Sequence, residues 1–138
     1  MQQSKDFLER EIQKLSLLLN TLFNKMSTIK PEEQDSTLEE INSSLDKEFG
    51  LSIEDFHTLK QPELVIKLKN IHHTNLDKIA QLVHLMAQNS ENSKFEFLLS
   101  KPKTIDNIIF LLDYAAQQSA TFSFERMNLK AALQKQKK

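Results

Sequence analysis

The acidic residue best placed to do chemistry in this sequence is Asp113, which precedes Tyr114 inside the most apolar stretch of the chain, residues 105–116. Apolar surroundings raise the pKa of a carboxyl group, and such a group can serve as a general acid or base. Asp113 could instead lie at the surface or pair with a cation such as Arg126. We expect a structural ion pair, and we keep a ligand-binding or catalytic pocket beside Asp113 and Tyr114 as the alternative.

The histidines are also candidates, since imidazole binds metal ions and transfers protons near neutral pH. They are His57, His72, His73 and His84. In a helix that begins early enough, His73, Asp77 and His84 fall on one side. His73 and His84 would still lie about 16 Å apart, too far to share one ion, and a tight site needs three or four ligands. We therefore expect no metal site, and we predict that His84 lies on a solvated helix face.

Other kinds of chemistry find little support in the composition. The chain has one glycine and no cysteine, which excludes glycine-rich phosphate loops, thiol nucleophiles and cysteine-ligated metals. Adjacent carboxylates occur at predicted helix starts or on polar faces, where helix dipoles and solvation explain them. They are Glu32/Glu33, Glu39/Glu40 and Glu54/Asp55. We expect no catalytic residue and no cofactor. The sequence therefore favours a protein that is not an enzyme.

A short segment at residues 49–52 resembles the turn of a helix-turn-helix motif. The helix that follows carries Glu54, Asp55 and His57, and acidic side chains repel the phosphate backbone of nucleic acid. The net charge is −1, so no basic surface favours nucleic acid overall. We expect no nucleic-acid partner and keep a helix-turn-helix-like nucleic-acid binder as a second alternative.

The fold class follows from composition. A length of 138 residues suffices for one domain with a real core. One glycine and three prolines leave too few turn residues for a β-sandwich or a doubly wound α/β fold. Leu, Lys, Glu and Gln, which are good helix formers, dominate the chain. We predict an all-α single domain, a helical bundle or array of about six to seven helices counted from the breaks in the pattern.

The first helix is predicted over residues 4–28, with Ser4 as its N-cap. All of its apolar residues except Leu17 fall within an arc of about 160°. Several keep the alternating spacings of four and three that are typical of a coiled coil. They are Leu8, Ile12, Leu15, Leu19, Leu22, Met26 and Ile29. Phe7 and Phe23 widen this stripe, so we expect it to pack on a globular core rather than to pair with another copy.

A second helical segment is predicted over residues 31–70. Pro31 suits the first turn of a helix. Gly50 stands where a left-handed C-terminal cap is wanted. Ser52 and Asp55 then have the spacing of a capping box, so a new helix is predicted to begin after Ser52.

Residues 74–133 are predicted to form helix pairs around a central helix over residues 104–118, capped by Thr104. The apolar side chains of this central helix occupy nearly every side, which is typical of a buried helix. Its apolar stretch of about a dozen residues is too short to span a bilayer, so we expect the other helices to cover it. The tail, residues 134–138, is predicted to be frayed.

The run Phe-Leu-Glu-Arg-Glu-Ile at residues 7–12, followed by Leu15 and Leu19, resembles the opening of a group of uncharacterised bacterial helical proteins. Those proteins share an F-L-x-R-x-I-x-x-L segment that is followed by helix pairs similar to tetratricopeptide repeats. The resemblance implies a tetratricopeptide-repeat-like (TPR-like), superhelical layout of helix pairs, and it implies no chemistry.

The function that these observations favour is a cytoplasmic protein–protein interaction module, with an unidentified protein partner or self-association. Residues 1–69 carry a net charge of −4 and residues 70–138 a net charge of +3, which could favour head-to-tail pairing but is commonly incidental. Phe122 and Phe124 alternate with polar residues. We expect them to cover the central helix, and a surface anchor for another chain is the alternative. The N-terminal residues lack the pattern of a signal peptide, and we expect no membrane partner.

Overall fold

The computed structural model describes residues 2–136, and it describes the side chains of residues 6–136. These residues form eight α-helices and contain no β-strand, so the predicted all-α single domain is confirmed. Six of the helices have seven or more residues, and the other two are short. In chain order they are α1 (Gln2–Ser27), α2 (Gln34–Phe49), α3 (Ile53–Thr58), α4 (Gln61–Leu68), α5 (His73–Gln88), α6 (Glu96–Leu99), α7 (Pro102–Ser119) and α8 (Phe124–Gln136).

Local signals set the boundaries of α2 and α3. Pro31 opens a short 3-10 turn, Pro31–Glu33, that leads directly into α2. Gly50 ends α2 in the left-handed conformation, with φ of 67°, which an L side chain rarely adopts. Ser52 and Asp55 form the predicted capping box: the Asp55 N–H donates to Ser52 Oγ at 3.3 Å, and the Ser52 N–H donates to Asp55 Oδ2 at 3.0 Å.

Two predicted helix starts are wrong. The backbone at Ser4 already lies inside α1, so it does not cap that helix. Thr104 lies inside the first turn of α7, which begins at Pro102 because a proline is tolerated where the helical N–H has no partner. The Thr104 hydroxyl is buried and donates to the Leu98 carbonyl oxygen at 2.7 Å. It therefore ties α7 to the end of α6 instead of capping.

The helix α7 is the central helix, as predicted. It packs against α3, α4, α5, α6 and α8, and its buried residues include Ile105, Ile108, Leu111 and Ala115. All eight helices contribute at least one side chain to a single apolar core. Burial of this apolar surface is the dominant favourable contribution to the folding free energy.

One polar side chain of α7 fixes its register against α3. Asn107 is buried, and its Nδ2 donates to the carbonyl oxygens of Phe56 at 2.7 Å and Leu59 at 3.1 Å. These carbonyls lie at the C-terminal end of α3, where a helix leaves its last carbonyls without partners. Asn107 therefore satisfies backbone groups that would otherwise be buried without a hydrogen bond.

The helices α1, α5 and α8 run in the same direction. Asn75 at the start of α5 donates to the Ile12 carbonyl oxygen at 3.2 Å, and Lys78 donates to Asn20 Oδ1 at 2.8 Å. At the start of α8, Arg126 pairs with Asp77 of α5. Residues of α1 and α8 therefore lie on either side of the outward surface of α5.

The first half of α1 departs from the prediction that its whole apolar stripe packs on the core. Leu19, Leu22 and Met26 are buried as expected, whereas Phe7 and Leu8 are exposed. The reason is length: α5 begins level with Ile12, so the turns of α1 before it extend past the helix that should cover them. Phe23 is also more exposed than predicted, and Leu17 lies outside the packed face as expected.

The last helix reaches further than predicted. It extends to Gln136, so residues 134–136 of the expected frayed tail are helical, while residues 137–138 lie outside the described residues. Over residues 2–136, none of the helices combines the length and the apolar character that crossing a membrane requires.

Truncation of the central helix should destabilise the whole domain. Leu111 is fully buried, so Leu111→Ala should lower the free energy of unfolding by about 2–5 kcal/mol through lost burial and a residual cavity. The matched control is Leu17→Ala, because Leu17 is 67% exposed. That change should cost less than about 0.5 kcal/mol. Urea unfolding followed by circular dichroism measures both, and equal effects would contradict the central position of α7.

Candidate functional site

Asp113 lies at the surface of the structure in an ion pair between α7 and α8. Its Oδ1 accepts a hydrogen bond from Lys130 Nζ at 2.7 Å, and its side chain is 50% exposed. The prediction of a structural ion pair is confirmed, but the predicted partner, Arg126, is wrong. Neither Asp113 nor Tyr114 lines any of the four surface clefts described below.

Arg126 pairs instead with Asp77 of α5. Its Nε donates to Asp77 Oδ1 at 2.9 Å and its Nη2 to Asp77 Oδ2 at 2.7 Å, which is a bidentate arrangement. Nη1 also donates to the Thr121 carbonyl oxygen at 3.2 Å. The hydrogen bonds to Asp77 raise the pKa of Arg126, against the opposing effect of burial. The pair fastens α8 and the loop before it to α5.

The spacing of Arg126 from the apolar residues of α8 indicates an ion pair of this kind. Arg126, Leu129 and Leu133 recur at intervals of three and four, so Arg126 lies on the core-facing stripe of α8. An arginine on such a stripe is expected to have an anionic partner. Only the packing of α8 against α5 selects Asp77 as that partner, and the sequence alone did not identify it.

The histidines do not come together as a metal site. Among residues 6–136, no group of three or more His, Asp or Glu side chains could hold a metal ion. His73 and Asp77 share a polar cleft, but both carboxylate oxygens of Asp77 bind Arg126. His72 caps α5, since its Nδ1 accepts from the Thr74 N–H at 3.2 Å. His57 lies edge-on to Phe97.

His84 differs from the solvated side chain that was predicted. It lines a cleft of about 430 Å³ together with Phe23, Leu85 and Leu129, and its Nδ1 is buried without a hydrogen-bond partner among the described residues. Burial lowers the pKa of His84 below its ordinary value. Partial burial therefore favours the neutral form of the imidazole.

Three clefts adjoin one another along the outward surface of α5. The polar cleft at its start, of about 330 Å³, shares Gln81 and Glu125 with the His84 cleft. The His84 cleft shares Gln88 with a third cleft of about 360 Å³ at the end of α5. The three clefts therefore lie in a row along α5, a helix of about 24 Å. Of the three, the His84 cleft is the one lined by residues of both α1 and α8.

Exposed apolar residues at the start of α8 and just before it form a cluster. Phe122 is 69% exposed, Phe124 is 70% exposed, and Met127, three residues after Phe124 on the same side of α8, is 47% exposed. The rings of Phe122 and Phe124 pack edge to face with 4.8 Å between their centroids. The prediction that they cover the central helix is wrong, and the alternative, an exposed position, is what the structure has. We call Phe122, Phe124 and Met127 the aromatic cluster.

The acidic residues of the helix-turn-helix-like segment have structural partners. Asp55 completes the cap of α3 and forms an ion pair of 2.7 Å with Lys67. Glu54 accepts from Asn42 Nδ2 at 3.1 Å. The Asn42 side chain also accepts from the Ile53 N–H at 2.8 Å, so it holds α2 against the start of α3. These contacts explain the carboxylates by helix capping and packing.

Comparison of the chain with protein-family models, with curated proteins and with solved structures finds no match. The TPR-like layout and the bacterial helical family therefore stay predictions. The candidate sites rest on the geometry of the chain itself.

The two ion pairs of α8 should differ in their effect on stability. Arg126 is 9% exposed, so Asp77→Ala leaves a buried cation unpaired and should cost about 3 kcal/mol. Asp113→Ala breaks the exposed pair with Lys130 and should cost less than about 1 kcal/mol. Thermal unfolding of both variants makes the comparison, and a larger effect of Asp113→Ala would show that the Asp77 pair is not the one that fastens α8.

The stability of the domain should depend on pH through His84. Its folded-state pKa is lowered by burial, so the unfolded chain binds a proton first. The free energy of unfolding should therefore fall as the pH drops below about 6.5 towards the folded-state pKa. Above about pH 6.5, the contribution of His84 to stability should be fully present. His72, whose pKa is also lowered by burial and by His73, acts in the same direction.

Urea unfolding at about pH 7.5 and about pH 5.5 measures this effect. His84→Gln should lose less stability between the two conditions than the unmodified chain. An identical loss in both proteins would exclude His84 as its source.

Proposed function

We propose that this protein is a protein–protein interaction module without enzymatic activity of its own, and that the aromatic cluster is its main docking surface. The observation that carries the proposal is the exposure of Phe122 and Phe124 as a packed pair. Folded monomers rarely leave large contiguous apolar side chains in water, and such patches commonly mark interaction sites. Aromatic residues and methionine are enriched at the centres of protein interfaces.

The loop before α8, which carries Phe122, is held in place by hydrogen bonds. Ser119 Oγ accepts from the Thr121 N–H at 3.3 Å, and Ser123 Oγ accepts from the Arg126 N–H at 3.1 Å. Arg126 in turn donates to the Thr121 carbonyl oxygen. Because the loop is ordered before a partner arrives, less conformational entropy is lost on binding.

Polar residues alternate with the aromatic ones in this segment. Thr121 and Ser123 line the polar cleft at the start of α5, whereas Phe122 and Phe124 are exposed to solvent. Apolar anchors beside a polar, hydrated rim are the usual anatomy of a specific interface. A partner that presents a small apolar pocket flanked by hydrogen-bonding groups suits this surface.

A ligand pocket at Asp113 and Tyr114 has no comparable support, because the Asp113 carboxylate is at the surface and engaged by Lys130. We also propose the cytoplasm as the compartment. The proposal draws on the absence of cysteine, since small secreted domains commonly rely on disulfides.

Truncation of the aromatic cluster should remove partner binding without unfolding the domain. Phe122→Ala combined with Phe124→Ala should weaken the affinity for a captured and then purified partner by more than about tenfold, since aromatic anchors commonly contribute over 1 kcal/mol each. The melting temperature should stay unchanged, because both side chains are exposed.

Leu17→Ala is the matched control, since it removes an equally exposed apolar side chain from α1. Calorimetry with the purified partner measures all three proteins. Unchanged affinity in the double variant would overturn the assignment of the aromatic cluster as the docking surface. An equal loss of affinity in the control would show that the binding is nonspecific apolar adhesion.

A further inference from the structure

The N-cap of α5 is a histidine side chain. His72 Nδ1 accepts a hydrogen bond from the Thr74 N–H at 3.2 Å. A ring nitrogen that accepts an N–H carries no proton of its own, so the proton of this neutral imidazole is on Nε2. In a histidinium ion both ring nitrogens are donors. The cap therefore exists only while His72 is neutral.

Protonation of His72 would also oppose the start of α5 through the helix dipole. The first turn of a helix is its positive end, where a cation is unfavourable. The usual N-cap residues, Ser, Thr, Asp and Asn, keep the same charge between about pH 5 and pH 8. Imidazole is the side chain whose charge changes in that interval. A histidine cap thus differs from an ordinary cap in responding to pH.

The surroundings of His72 favour its neutral form. The centroid of the His73 ring lies 4.2 Å from that of the His72 ring, so a charge on one ring disfavours a charge on the other. Burial, followed by the charge of His73, lowers the pKa of His72 below its ordinary value. The cap should therefore be intact at neutral pH and should be lost only at a pH below about 6.5.

The nearby carboxylates do not compensate for this by direct contact. Glu11 of α1 and Glu48 of α2 line a cleft of about 300 Å³ together with His72. Neither of them forms an ion pair with His72 within residues 6–136. On α5 itself, both carboxylate oxygens of Asp77 bind Arg126. A protonated His72 therefore finds no carboxylate that holds it in place.

The turn that His72 caps also joins α5 to α1. Asn75 lies in this turn and is buried, and its Nδ2 donates to the Ile12 carbonyl oxygen at 3.2 Å. The Asn75 Oδ1 is buried as well, and it accepts no hydrogen bond from the described part of the chain. An acceptor that is buried without a donor costs free energy, which is recovered when the group reaches water. The first turn of α5 is therefore poised to open.

We propose that His72 is a pH-sensitive cap, whose protonation opens the first turn of α5 and breaks the attachment of that turn to α1 at Ile12. Helix ends open locally at free energies below that of global unfolding. Histidine protonation between about pH 5 and pH 6 is a known trigger of such changes. The opening is confined to the start of α5, because the later residues Leu82, Val83 and Met86 stay in the core. This switch is a property of the fold and does not depend on what the aromatic cluster binds.

Nitrogen-15 NMR of the full chain, titrated from about pH 8 to about pH 4.5, tests the proposal. At the upper end the His72 ring should carry its proton on Nε2. The ring should then titrate with a midpoint below about 6.5. The backbone amide of Thr74 and the side-chain amide of Asn75 should shift with the same midpoint. Protection of the Leu76 amide, which donates to the His72 carbonyl oxygen, should fall by about fivefold as the cap is lost.

Two variants serve as controls. His72→Asn supplies a good cap that does not titrate, so the signals of Thr74 and Asn75 should no longer follow a midpoint in this range, although His84 still titrates. His73→Gln should raise the midpoint of His72, since it removes the neighbouring charge, and should leave the coupled shifts in place. Circular dichroism checks that both variants keep their helices.

Three results would each overturn the proposal. A Thr74 amide that does not follow the His72 ring would show that the cap does not respond to pH. The same pH dependence in His72→Asn would assign the change to another group, such as His84. An Asn75 side-chain amide that stays constant while the Thr74 amide shifts would show that α1 remains attached.

Discussion

Burial of α7 on several sides at once is the constraint on which the rest of this structure depends. A helix with apolar residues nearly all round is stable in water only when neighbours cover each of its faces. Here α3, α4, α5, α6 and α8 do so. Two polar contacts of α7 fix the positions of two of these neighbours: Asn107 holds the end of α3, and Thr104 holds the end of α6.

The parts of the fold that local chemistry dictates could be predicted from the sequence. Gly50 ends a helix because it tolerates positive φ, and Ser52 starts one because its hydroxyl accepts a backbone N–H. The burial of the central helix was also predictable, because a helix that is apolar on nearly every side has few alternatives to burial. The exposure of Leu8 was not predictable, because periodicity shows which side of a helix is apolar and not how far its neighbours extend.

The candidate sites also divide into features that the sequence predicts and features that depend on how the helices pack. An ion pair at Asp113 was expected, but its partner depends on how α8 is rotated and shifted along α7. Lys130 lies one turn beyond Arg126, and that turn decides which cation meets Asp113 and which meets Asp77. The position of His84 was predicted wrongly for a related reason: its burial depends on residues of α1 and α8, which lie far from it in the sequence.

The shallow anchoring of α8 has a consequence for the motions of the domain. Only Arg126 and Leu133 of this helix are buried, whereas the helices it packs against bury seven residues each. Regions with few buried contacts open locally at free energies well below that of global unfolding. We therefore expect the backbone amides of α8 to exchange with solvent through such partial openings, each of which would uncover one face of α7 while the helices that bury more residues stay folded.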